Sequence, residues 1–573
     1  MKFQDNEKIA SIFETIADAL EFLNENAFKI RAYRNAAESI RNLNESITEI
    51  YSKPNPKKIE GVGKDLEQKI KEYIQTQKVA YLDELLEKVP YTLFRLKDIR
   101  GLGPRTLYKM FEKYRVRTLE DIKKLVFEND ELKDISLLEK SIKKIREGIQ
   151  LYEEGQSRFP LGVAYPIAKD LVDRVYKIDN VKKVEIAGSV RRGKETVGDL
   201  DILICTKDFN SVSKALANLE HKQIIAMGDT KVSLLLSNNM QVDFRLVNED
   251  SFASALQYFS GSKEHNVRLR DIAIKKGFKL NEYGLFEKDK KIETKTEEDI
   301  YNALGLCYIK PTLRENKGEI EACLANKLPN VVELGDIKGD LHVHTNYSDG
   351  LMSLEEVIQE AIKRNYDYIA ITDHSVSSYV ANGLSVERLY DQLNEIDKLK
   401  DKYKGKIHIL AGSEVDIKQN GELDFNDNVL KDLDIVIASI HQGFANSKEI
   451  NTKRIISAIE NPYVNIIAHP TGRLIGQRAP YEIDIQKIAE YAAKHKTALE
   501  INSFYLRLDL NDEHARLAKN AGAKICINTD THTKENLDYM IYGVLTAQRG
   551  WIEKSDCLNT LNYSQLKQFL KKH

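Results

Sequence analysis

From residue 340 to the C-terminus, short β-rich runs alternate with helical stretches. The runs fall at 340–344, 368–372, 407–412, 435–440, 465–468, 498–501 and 524–528. Strands spaced by helices in this way cannot pair as hairpins. They predict a parallel sheet closed into a distorted (β/α)7 barrel. Histidine marks the same region: ten of the 12 histidines lie in 340–573. Six of them (His342, His344, His374, His441, His469 and His532) fall at or just past the C-terminal end of a run, as do Glu414 and Asp530. In a barrel those ends meet at one mouth. One buried histidine is usually a satisfied core residue, but six at strand ends point to a metal site. Asp349 joins them, although its Ser-Asp-Gly context reads equally well as a turn. Nine such side chains can hold two to three divalent ions, with imidazole suited to zinc, manganese or iron, and Glu414 can bridge.

A second constellation lies in the middle of the chain. Asp199 and Asp201 sit two apart on a predicted strand, so both carboxylates leave one face while Leu200 and Ile202 turn to the core. Asp243 sits on an alternating run at 241–247, paired as a hairpin with the run at 232–236 through Ser237-Asn238-Asn239. A lone Asp-x-Asp reads as a solvated strand face. Here Gly188-Ser189 stands ten residues ahead of Asp199 and a third strand aspartate follows. Three carboxylates on adjacent strands can hold two ions that clamp a triphosphate and activate a 3′-hydroxyl. Gly188, Ser189 and Arg192 are donors for the phosphates.

The first 150 residues read as helices, with Ile9, Ile12, Phe13, Ile16 and Leu20, and then Leu66, Ile70 and Ile74, at helical spacing. Gly61-Val62-Gly63 and Gly101-Leu102-Gly103 each open a helix. An apolar residue between glycines at a helix entry is the helix-hairpin-helix pattern, whose backbone N–H groups bind a DNA phosphate without reading sequence. Gly-x-x-x-x-Gly-Lys-[Ser/Thr] occurs at neither site, which excludes a Walker P-loop.

The middle motifs resemble the nucleotidyltransferase superfamily. Residues 258–270 narrow this to the family X DNA polymerases, the group that includes DNA polymerase beta. The resemblance implies that Tyr258, Phe259 and Gly261 line the sugar and exclude a 2′-hydroxyl, that Asn266 touches the incoming base, and that Arg270 contacts the templating strand. It adds Arg158 and Gly198 to the triphosphate contacts. An arginine usual two residues before the third aspartate is Gln241 here. The first ~90 residues resemble the lyase domain of the same family. This implies a Schiff-base nucleophile at Lys69 supported by Lys29, Tyr33 and Lys57, although Lys69 also reads as a solvated helix lysine. The histidine order resembles the polymerase and histidinol phosphatase (PHP) domain, a phosphoesterase fold.

These readings divide the chain into a helical lyase-like region (1–90), a helix-hairpin-helix region (91–150), a palm (151–250), a thumb (251–314), a linker (315–334) and a PHP barrel separable near Gly335 (335–573). The fold class is multidomain α+β and α/β. The layout is that of bacterial family X polymerases. It implies a monomeric gap-filling repair enzyme acting on gapped or damaged DNA and dNTPs, with two Mg²⁺ or Mn²⁺ in the palm and Mn²⁺ or Zn²⁺ in the barrel. Base excision repair, 3′→5′ exonuclease activity and cleavage at abasic sites are also implied. The alternatives are a small-molecule phosphatase of the histidinol-phosphate type and a non-catalytic scaffold for DNA ends. The net charge of −2 by itself predicts no polyanion partner. The apolar runs are too short for a membrane helix, and five scattered cysteines without a Cys-x-x-Cys pair argue for a reducing, cytoplasmic compartment and against a disulfide framework or a thiolate zinc site.

Overall fold

The computed structural model describes residues 4–571 except 24, 42, 44–45, 54–55, 57, 60, 89–95, 97–98, 100–101, 129–141, 143–144, 147, 150–157 and 289. The chain divides into two compact units. One is 1–156 with 476–478, and the other is 157–475 with 479–573.

The first unit is helical. Along the Gln4–Phe22 helix, Ile9, Phe13, Ile16 and Leu20 recur every three or four residues and are all buried, while Ile12 is half-buried. The Lys64–Thr76 helix repeats the pattern with Leu66, Ile70 and Tyr73. Edge-on packing of Phe22 against Tyr108, centroids 5.4 Å apart, ties the first helix to Pro104–Tyr114.

In the second unit a five-stranded sheet runs Val181–Ile186, Asp199–Thr206, Gln241–Val247, Lys231–Leu235, Gln223–Met227. The central pair is parallel, with Asp199 opposite Gln241 and Asp201 opposite Asp243. The 231–235 and 241–247 strands pair antiparallel, the expected hairpin. Helices Phe252–Ser260 and Lys263–Lys275 and a three-stranded antiparallel sheet, Phe278–Asn281, Gly284–Glu287 and Lys290–Ile292, follow. The 315–334 segment is packed rather than a bare tether. Glu319 is buried 2.6 Å from His265, and Val331 and Val332 are fully buried.

The C-terminal part is a seven-stranded parallel sheet in chain order: Gly339–Asp340, Tyr368–Ile371, His408–Asp416, Ile435–Ser439, Ile466–Ile467, Ala498–Asn502 and Lys524–Asn528. A parallel bridge between Val343 and Thr531 draws the first and last strands together, so the barrel is nearly closed. Every predicted strand is present. The barrel does not stand apart from the palm: the core built on Leu200, Ile202, Val242 and Phe244 also contains Leu508 and Tyr542 from the barrel. Nor do the cysteines all stand apart. Cys307 and Cys323, sixteen residues apart in sequence, lie side by side with their Cα atoms 5.8 Å apart. Cys205, Cys526 and Cys557 are free and buried.

Candidate active sites

The palm site rests on strand alternation. Leu200, Ile202 and Ile204 are fully buried, while Asp199 and Asp201 on the opposite face stay half-exposed. The parallel register sets Asp243 beside Asp201. Burial, then the charges of Asp199 and Asp243, push the Asp201 carboxyl up to about 7. Burial also opposes the charge on Asp243, but Lys231 and Gln241 outweigh it, and its carboxyl sits below the ordinary value. Lys231 Nζ lies 2.6 Å from Asp243 Oδ2, and Gln241 Nε2 donates to Oδ1 at 2.9 Å. Three crowded carboxyls suit positive charge beyond that of Lys231 and Arg245. Gly188 has φ +61°, and a β-carbon there would fall 2.2 Å from Asp201 Oδ2, so only glycine leaves the carboxylate its place.

The other nucleotide candidates lie around this face. Ser189 is half-buried on the Gly188–Arg191 turn. Arg158 donates to Thr196 Oγ1 at 3.0 Å and to its carbonyl at 2.6 Å, next to Gly198. Arg192 donates to Glu315 and to the Ser260 carbonyl, both at 2.9 Å. Tyr258 and Phe259 meet edge to face at 5.1 Å. Asn266 donates to the Tyr258 carbonyl at 2.6 Å and accepts from Gln257 at 2.8 Å. A β-carbon on Gly261 would lie 2.3 Å from Asn266 Oδ1, so 258–266 is one cluster. Arg270 is exposed on the Lys263–Lys275 helix.

In the barrel all nine predicted side chains meet at the mouth. Glu414, fully buried, is central. Its Oε2 faces His342 Nε2 at 3.4 Å, His344 Nε2 at 3.6 Å and His374 Nδ1 at 2.9 Å, and its Oε1 faces His441 Nε2 at 3.4 Å and His469 Nε2 at 2.9 Å. Asp530 Oδ1 lies 3.1 Å from His344, and Asp349 Oδ1 3.4 Å from His532. Three adjoining groups have metal-ligand spacing: His344, Asp349, His374 and His532; His342, His344 and Asp530; His374, Glu414 and His441. Five imidazole nitrogens around one buried glutamate, with the carboxylates of Asp530 and Asp349 beside them, fit shared cations. Without such ions, burial opposes the charge on Glu414, and His374, His441 and His342 outweigh it, holding its carboxyl well below the ordinary range. The ligands open onto a cavity of about 390 Å³ also lined by Ser378, Tyr379 and Arg507.

Two carboxylates escaped the sequence reading. Glu500 Oε1 lies 2.8 Å from His342 Nδ1, and its Oε2 accepts the His469 backbone N–H at 2.8 Å. Asp416 lies 2.5 Å from His441 Nδ1. Both orient imidazoles by the nitrogen that faces away from Glu414. Asp416 had a signal, since it is two residues beyond Glu414 on the same strand face.

In the N-terminal unit Gly63 and Gly103 precede the Lys64–Thr76 and Pro104–Tyr114 helices in extended conformation with no side-chain cap. A β-carbon at either would meet nothing within 4 Å among the described residues. Gly61 has φ +74°. Gly101 and Lys57 lie outside the described residues. Lys69 Nζ lies 2.8 Å from Asp65 and 5.2 Å from the Tyr81 ring centre. Lys29 Nζ donates to Tyr81 Oη at 2.7 Å, and the buried Tyr33 stacks 6.4 Å from the same ring. Tyr81 and Asp65 were not foreseen.

Four family models match this chain: a helix-hairpin-helix domain at 4–79, the DNA polymerase beta palm at 160–274, the DNA polymerase beta thumb at 255–315 and the PHP domain at 340–506. The DNA polymerase/3′-5′ exonuclease PolX of Bacillus subtilis (strain 168) is 40% identical over 571 residues, 99% of each chain. A probable phosphatase of Thermoanaerobacter sp. (strain X514) is 34% identical over 243 residues, covering 40% of this chain and 94% of its own. The probable phosphatase YcdX of Shigella flexneri is 34% identical over 205 residues, 34% of this chain and 78% of its own.

Proposed function

Because this chain belongs to the DNA polymerase/3′-5′ exonuclease PolX family, we propose that it fills short gaps in damaged DNA as a cytoplasmic monomer. It is a DNA polymerase with a 3′-5′ exonuclease. The finer assignments that follow are part of the proposal. Asp199, Asp201 and Asp243 hold two Mg²⁺ or Mn²⁺ ions, and the barrel ligands hold two to three Mn²⁺ or Zn²⁺. Bound divalent ions supply the positive charge that neutralises phosphates and acidifies the attacking hydroxyl.

The chain's own residues do the rest. Arg158, Gly188, Ser189, Arg192 and Gly198 bind the triphosphate. Tyr258, Phe259 and Gly261 exclude a 2′-hydroxyl, Asn266 meets the base and Arg270 the template. Gln241, bonded to Asp243, orients that carboxylate where arginine is usual. In the barrel, His342, His344, Asp349, His374, Glu414, His441, His469, Asp530 and His532 serve removal of 3′ nucleotides and cleavage at abasic sites. Amides at Gly61, Gly63, Gly101 and Gly103 grip phosphates on either side of the gap. Lys69 is the nucleophile toward a 5′-deoxyribose phosphate, and the enzyme acts in base excision repair.

The observation that best supports the polymerase assignment is the register that sets Asp243 beside Asp201. A labelled primer on gapped DNA, with Mg²⁺ or Mn²⁺, should lengthen with dNTPs and shorten without them. Failure to lengthen would overturn the palm assignment, and failure to shorten the barrel assignment.

A further inference from the structure

One carboxylate faces two arginines where the palm, the segment after the thumb and the barrel meet. Glu315 Oε1 accepts from Arg192 Nε at 2.9 Å and from Arg549 Nη1 at 2.8 Å. Arg549 ends the Met540–Arg549 helix of the barrel. Its Nη2 donates to Asp512 at 2.8 Å, and its Nη1 also donates to the backbone carbonyl of Arg192 at 3.1 Å. The two side chains are 5% and 13% exposed, so this network is shielded from water. Burial opposes the charge on Glu315, and Arg549 and Arg192 outweigh it, keeping the carboxylate ionised. A cavity of about 430 Å³ is lined by Arg158, Lys194 and Thr196 from the palm together with Asp512, Thr546 and Arg549 from the barrel. Arg549 therefore borders the same space as Arg158.

A shielded carboxylate beside an arginine meant for a triphosphate is a competitor. It ties up a guanidinium edge and repels the incoming anion. A second arginine on the same oxygen offsets that charge, as does Lys194, whose Nζ lies 3.8 Å from the other oxygen. The bond from Arg549 to the Arg192 carbonyl fixes the backbone as well. We propose that Arg549, a barrel residue, is a positioning residue of the polymerase nucleotide site: by sharing Glu315 it leaves Arg192 free to receive the dNTP triphosphate. The barrel then serves the synthetic reaction as well as its own. This inference rests on the triphosphate role given to Arg192 above.

The test uses the full chain, single-nucleotide incorporation into gapped DNA and a dNTP titration. Arg549→Met should raise the dNTP KM about tenfold while changing kcat less than about twofold, because binding and not the chemical step is disturbed. Adding Glu315→Gln to Arg549→Met should bring KM back to within about threefold of the parent, and Arg549→Lys should be intermediate. Primer degradation, assigned to the barrel ligands, should be unchanged in all of them. Arg192→Ala must itself raise KM. If it does not, the reading of Arg192 fails and the inference with it. If Arg192→Ala raises KM but Arg549→Met does not, the inference alone is overturned. A double variant no better than Arg549→Met, or joint loss of extension and degradation, would make Arg549 mere structural glue and overturn it too. Should Arg549→Met not fold, Glu315→Gln alone decides: a lowered KM supports the inference, and an unchanged or raised one overturns it.

Discussion

Replacing Gly188 by alanine isolates what one hydrogen atom does for the palm. Gly188 holds φ +61°, and the added β-carbon would sit 2.2 Å from Asp201 Oδ2, 3.0 Å from its Cγ and 3.1 Å from its Cβ. Carbon and oxygen touch at about 3.2 Å, so the carboxylate or the turn must move by about 1 Å. Alanine in this left-handed conformation costs about 1–2 kcal/mol, which a unit of this size tolerates. The displaced carboxylate is the larger effect, since about 1 Å of misplacement at a reacting centre costs on the order of 100-fold in rate. Gly188→Ala should therefore lower the extension rate about 100-fold at saturating dNTP, with primer degradation within about twofold of the parent. The measurement is single-turnover incorporation into gapped DNA across a Mg²⁺ titration, with degradation of the same primer as the folding control. Extension within about fivefold of the parent would show that the contact with Asp201 does not set the rate. Parallel loss of both activities would show that the turn matters only for folding.

Other consequences are more direct. Asp243→Ala should abolish extension and spare degradation, while His344→Ala or Glu414→Gln should lose degradation and bound metal together and spare extension. Primer assays with metal analysis check both, and cross-loss would refute the division of labour. Borohydride should trap the chain on a 5′-deoxyribose-phosphate end, and Lys69→Ala should not be trapped. Undiminished trapping would move the nucleophile to Lys29 or Lys57. Burial disfavours the charge on Glu297, but Arg314 at 2.6 Å and Arg191 at 2.7 Å outweigh it and hold its pKa at about 2 against an ordinary 4.5. A depressed carboxyl stabilises fully above its unfolded value and loses that contribution as pH falls through its folded one. Acid unfolding between pH 4.5 and 2 should accordingly be less steep in Glu297→Gln, and an unchanged acid limb in circular dichroism would argue against it.

The parts of this molecule that could be read from sequence are those whose meaning lies within a few residues of chain. The barrel strands are short β-branched runs, and all the candidate ligands but Asp349 and Glu414 sit just past a strand end, so position along the run already points them at the mouth. Asp199 and Asp201 declare themselves by the alternation of one strand. Glu500 could not, because a single carboxylate in an apolar run gains its meaning only from His342, 158 residues away just past the first strand. Lys231 was hidden in the same way: its partner Asp243 lies across a hairpin, and a lysine at a strand start reads as solvated. The Gln223–Met227 strand is exposed along its whole length, so Ile224, Ile225 and Met227 leave no alternation to detect. The small sheet at 278–292 carries four Lys and two Glu, which blur any strand alternation. The seam between palm and barrel was invisible for a further reason. Leu508, Tyr542 and Leu545 satisfy the local pattern of the barrel, yet the first two are buried in the palm core and the third packs against it. A residue can be counted once by its own periodicity and buried by a different element. Periodicity alone therefore made the barrel look separable, and the contacts make it a wall of the polymerase.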